Sequence, residues 1–97
     1  MRPVVFPALA RDEAEDAVRY YEDRAEGLGL TFLAELAEAI DRIAANPEAY
    51  PPVGATIRRK LLRRFPFSVL YAIEPDKIRV LAIAHHKRRP GYWHDRV

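Results

Sequence analysis

The sequence predicts an α+β fold, a helical hairpin packed on a small, mainly antiparallel sheet in the order β-α-α-β-β-β. Three observations predict it. Apolar residues recur at intervals of three and four up to about Ala45, then give way to the alternating and continuous apolar runs of strands after residue 56. Glycine and proline fall at the joints between these segments. Charge divides at the same place. Residues 1–50 carry 5 Arg and no Lys against 11 Asp and Glu, a net of −6, and residues 51–97 carry 11 Lys and Arg against 3 acids, a net of +8. At 97 residues the chain is expected to form one domain over residues 1–97.

Each element has its own signal. Val4-Val5-Phe6 is β-branched and aromatic and reads as a short strand, with Pro3 favouring its start or an edge. A first helix is expected from about Ala8 to Ala25, with Ala10, Ala14, Ala17, Val18 and Tyr21 on its apolar stripe. Asp12 and Glu13 are expected in its first turn, where the helix dipole favours negative charge. Gly27 and Gly29 are expected to end it and reverse the chain. A second helix is expected from about Leu30 to Ala45, its stripe formed by Leu33, Leu36, Ala37, Ile40, Ile43 and Ala44, and stopped by Asn46-Pro47. Glu13, Asp16, Glu35, Glu38 and Asp41 are expected on the opposite faces as a solvated acidic surface.

Residues 47–56, with three prolines and a glycine, read as an ordered connector that is neither helix nor strand. Strands are expected at about Ile57–Arg63, Phe67–Ile73 and Ile78–Ala84, joined by short turns as a meander. The last of them is apolar on nearly both faces and should be central or covered on both sides. Period-two alternation would put Arg58, Lys60 and Arg64 on one face, and Arg59 and Arg63 on the other.

Composition excludes several classes. There is no cysteine, so disulfides and thiolate metal sites are ruled out, and a reducing, cytoplasmic setting is expected. No apolar run is long enough for a signal peptide or a membrane span, so no membrane partner is expected. There is no serine nucleophile motif and no phosphate-binding glycine loop, and no cofactor is expected. His85 and His86 are adjacent and point apart in an extended segment, so with His94 they are not expected to hold a metal.

The second half concentrates basic residues, Arg58-Arg59-Lys60 with Arg63-Arg64 and His85-His86-Lys87-Arg88-Arg89, beside Tyr92 and Trp93. Cations interleaved with rings suit nucleic acid and equally suit an acidic protein segment. For Trp93 the competing reading is a ring packed on the core.

A collinear set of short pieces resembles the ParE/RelE toxin superfamily. They are Tyr20-Tyr21-Glu22, Gly27-Leu28-Gly29 with Phe32, Asn46-Pro47 with Tyr50-Pro51, Arg58-Arg59, Phe65-Pro66-Phe67 with Tyr71, and His85 with Arg89-Pro90-Gly91-Tyr92-Trp93 and Arg96. The set spans nearly the whole chain. The resemblance implies the toxin of a type II toxin–antitoxin (plasmid stabilisation-type) system, neutralised by a cognate antitoxin in a toxin–antitoxin hetero-oligomer. ParE-like members act on DNA gyrase without being nucleases. RelE-like members cleave mRNA on the ribosome without metal, and usually carry an arginine three residues before the strand tyrosine. Here that position is Ser68. A ParE-like, non-enzymatic gyrase inhibitor is therefore expected ahead of a metal-independent endoribonuclease or a non-toxic binding module. Were it a ribonuclease, Arg64, His85, Arg88 and Tyr92 would be its catalytic candidates. The candidates for contact with target or antitoxin are Arg58, Arg59, Arg63, Lys87, Arg89, Trp93 and Arg96, and a groove between hairpin and sheet is expected to take an extended partner segment.

Overall fold

The computed structural model describes residues 1–97. The elements follow the expected order: β1 (Val4–Val5), α1 (Ala8–Arg24), α2 (Leu28–Ala45), β2 (Ile57–Leu61), β3 (Phe67–Ile73) and β4 (Ile78–His85). The sheet order is β1-β4-β3-β2. β2, β3 and β4 form the antiparallel meander, and β1 lies parallel to β4 with Val4 opposite Ile78. The doubly apolar strand β4 thus sits inside the sheet, between β1 and β3.

The hairpin covers one face. Tyr21 near the end of α1 stacks on Phe32 near the start of α2 (centroids 5.5 Å apart), so the helices run antiparallel. Phe32, Leu36 and Ile43 meet Val69, Tyr71, Ile78, Val80 and Ile83 in the main core. A smaller cluster covers part of the other face: Ile57, Leu70, Ala72, Leu81, Ala82, Ala84 and Trp93. A bulge makes it possible. Leu70 pairs with Ala82 and Tyr71 with Val80, so Leu81 is the extra residue, and both Leu81 and Ala82 join the Trp93 cluster.

Several expectations shift in detail. α1 ends at Arg24 and α2 begins at Leu28, so only Gly27, at φ +85°, serves the reversal. Gly29 lies inside α2 for a packing reason: a Cβ there would stand 2.7 Å from the Val18 carbonyl oxygen. Glu22 seals the joint, its carboxylate accepting from the Gly27 and Gly29 N–H groups, each at 2.9 Å. Asp12 and Glu13 fall beyond the first turn of α1. β2 stops at Leu61, two residues early, because the N–H groups of Arg63 and Arg64 turn to the carboxylate of Glu35. The expected face-sharing of Arg63 and Arg64 with β2 therefore fails. The connector contains a 3-10 turn at Pro47–Ala49, and a second such turn, His94–Arg96, closes the tail.

Two corrections bear on function. The buried face of α2 is Phe32, Glu35, Leu36, Ala39 and Ile43, so Leu33 and Ala37 are turned outward. Glu13 and Glu35 do not belong to a solvated surface, since their side chains are only 14% and 6% exposed.

Candidate functional site

Glu13 organises the tail. β1 pairs with β4 only as far as Arg79, so the rest of that edge has no neighbouring strand. There Glu13 Oε1 accepts from the Ile83 N–H at 3.0 Å, and the Arg96 guanidinium donates to the Leu81 carbonyl at 3.1 Å. Arg96 and Glu13 also pair with each other at 2.9 Å. One acceptor and one donor thus replace a missing strand, which keeps the edge from pairing with another chain. The Tyr92 hydroxyl donates to Glu13 Oε2 at 2.7 Å. Burial first, and then this bond to a carboxylate, hold the Tyr92 phenol far above its ordinary pKa. Arg88 and Arg96 stack on its ring at 3.8 and 5.1 Å.

A hollow of about 650 Å³ opens on the sheet face away from the helices. Leu70, Ala84 and Trp93 line its apolar part, and Arg59, His85, His86, Arg88, Arg89 and His94 surround them. No Asp or Glu lines it. The Ser68 hydroxyl, at the position of the RelE-type arginine, is buried and bonds to His86 Nε2 at 2.9 Å. No three His, Asp or Glu groups converge as a metal site would require.

The four residues named for cleavage chemistry are only partly assembled. His85, Arg88 and Tyr92 border the same hollow, while Arg64 is paired with Glu35 at 3.2 Å and lies outside it. His85 packs edge-on against Phe67, and its Nδ1 accepts from the Lys87 N–H at 3.0 Å. With its hydroxyl committed to Glu13, Tyr92 is poorly placed to take or give a proton.

The seven residues named for binding also divide. Arg59, Arg63, Lys87 and Arg89 are exposed. Arg58 donates to the Glu48 and Tyr50 carbonyls at 3.2 and 2.7 Å and ties β2 to the connector. Arg96 is held by Glu13, and Trp93 is only 8% exposed, the core reading of that ring.

A second hollow, of about 630 Å³, was legible only in part. It lies between the two helices, lined by Phe6, Ala14, Val18, Leu33, Leu36, Ala37 and Ile40, with Arg11, Arg19, Glu15 and Asp41 along its rim. The sequence signal was the stripe of α2, which is wider than one buried face needs. The groove expected between hairpin and sheet is present as a smaller hollow of about 400 Å³ between α1 and β4.

The family model described as ParE toxin of type II toxin-antitoxin system, parDE, matches residues 4–90. Among solved structures, a chain from "Chromosomal ParDE TA system from P. aeruginosa" superposes with a TM-score of 0.73 at 21% identity, covering 88% of this chain and 96% of that one. At that identity the likeness concerns the fold. No curated protein matches.

Proposed function

We propose that this chain, which belongs to the ParE toxin family of type II toxin–antitoxin systems, arrests growth by acting on DNA gyrase and is neutralised by an antitoxin helix lying in the groove between α1 and α2. The observation that carries the antitoxin half is the groove itself. It is apolar along its floor, open to solvent and walled by Leu33, which is 46% exposed. An amphipathic helix with anchors at i, i+3/i+4 and i+7 fits such a channel, and the mixed charges of its rim can pair with the polar edges of that helix.

A non-nucleolytic action is supported by the tail. Tyr92 is locked to Glu13, Arg64 is spent on Glu35, and Ser68 stands at the position of the RelE-type arginine. The exposed cations Arg59, Arg63, Lys87 and Arg89 are free to meet a target. Expression in cells tests both halves. Growth should stop, plasmid supercoiling should relax, and translated messages should keep their 5′ ends. Co-expressed antitoxin should restore growth, and Leu33→Glu in the toxin should abolish that rescue while leaving it toxic. New 5′ ends within translated messages, with plasmid topology unchanged, would sink the gyrase reading.

A further inference from the structure

From the open face of the sheet we infer a binding surface for the sugar-phosphate backbone of duplex DNA. Six cationic or protonatable side chains surround the hollow there, and no carboxylate lines it. Elsewhere several basic side chains are answered, Arg19 by Asp16, Arg42 by Glu38, Arg64 by Glu35 and Arg79 by Glu74, although Arg2, Arg11, Arg24, Lys60, Arg63 and Lys87 also enter no ion pair. Around the hollow, Arg59 and Arg89 enter no ion pair, and Arg88 reaches only Glu13, at 3.9 Å, which Arg96 already neutralises. Charge left unpaired in one place needs anions from outside.

The aromatic rings decide which anion. Single-stranded nucleic acid is held largely by bases stacked on exposed rings. Here Trp93 is 8% exposed, Tyr92 is covered by Arg88 and Arg96, and His85 is packed against Phe67. Cations without free rings grip phosphates and ignore bases. An acidic peptide has less to gain, because main-chain pairing needs a strand edge and the hollow lies on a sheet face. The nearby edge of β2 is already used: Arg59 N–H bonds the Pro51 carbonyl at 3.1 Å, and Val53 N–H bonds that of Ile57 at 2.8 Å. The Ser68 hydroxyl and His86 add polar groups at the hollow's wall.

DNA gripping by this face requires no particular protein target, so a negative result here and a negative gyrase result are separable. The test is fluorescence anisotropy of the full chain with labelled blunt duplexes of two unrelated sequences, titrated with KCl. Equal affinity for both is expected. Arg59→Gln with Arg89→Gln should weaken binding about tenfold and lower the slope of log K against log salt by about 2, one unit per lost phosphate contact. Arg2→Gln with Arg42→Gln removes the same net charge elsewhere and should leave binding near wild type. Thermal melts followed by circular dichroism establish that both double variants are folded. No duplex binding at low salt, equal weakening by the two double variants, or stronger binding of single-stranded RNA or of an acidic peptide would each overturn the inference.

Discussion

Glu35 shows how a single side chain here joins distant segments. It sits on α2, is nearly buried, and accepts from the Arg63 and Arg64 N–H groups and from the Arg64 guanidinium. Burial alone would raise its pKa, but these donors outweigh it and the net shift is downward. A carboxylate whose folded pKa is depressed stabilises the fold fully above its unfolded value, and that contribution is lost as pH falls through the folded value. Wild type should therefore lose stability on acidification below about pH 4.3, the ordinary Glu value. Glu35→Gln should be less stable at neutral pH and show a shallower acid loss, as read by urea unfolding across pH. Tyr71 makes a similar link. It is fully buried, its hydroxyl donates to the Pro47 carbonyl at 2.5 Å, and burial pushes its pKa up to about 12. Tyr71→Phe leaves that carbonyl without its partner and should cost about 1–2 kcal/mol. For a chain of this size that is a fall in Tm of roughly 4–15 °C. Neither role was legible in the sequence, because the partners lie 24 to 29 residues away. Sequence pattern puts Glu35 on the solvated face of α2, whereas the Arg63 and Arg64 donors hold it on the buried face.

Among the elements, those set by local pattern were legible and those set by long-range pairing were not. Helical spacing placed α1 and α2 to within a few residues, and turn residues delimited β3 and β4. The parallel pairing of β1 with β4 and the early end of β2 depend on chain segments far apart in sequence, and the bulge at Leu81, though inside one hairpin, leaves no mark in the continuous apolar run of β4. Glycine usually breaks helices, so the sequence puts Gly29 at a helix end, whereas in the fold it lies inside α2 and admits the Val18 carbonyl. Gly29→Ala should force the helices apart and cost about 1–3 kcal/mol, measured by denaturant titration. The tail is the other element whose role came only from the structure. Glu13→Ala removes the acceptor for Ile83 N–H, Tyr92 and Arg96 together, and should cost about 2–4 kcal/mol. Hydrogen exchange at Ile83 should accelerate far more than at residues of β3. Unchanged exchange there would show that the edge of β4 is protected by something other than this carboxylate.

The charge division of the whole molecule now has a spatial meaning. The acidic half forms the helical layer with its apolar groove, and the basic half forms the meander and tail around the hollow on the sheet's other face. The sheet lies between them, so an antitoxin helix in the groove and a target on the basic face need not compete for the same residues. Ionic composition and family likeness made the two-partner reading visible in the sequence. Which cations are free did not follow from it, since Arg58, Arg64 and Arg96 are used within the fold while Arg59 and Arg89 are not. The most direct test of the proposed action is gyrase supercoiling of relaxed plasmid with increasing amounts of the purified chain, with and without its antitoxin. The proposal predicts dose-dependent loss of supercoiling that the antitoxin reverses. Full supercoiling at toxin concentrations that arrest growth would contradict it.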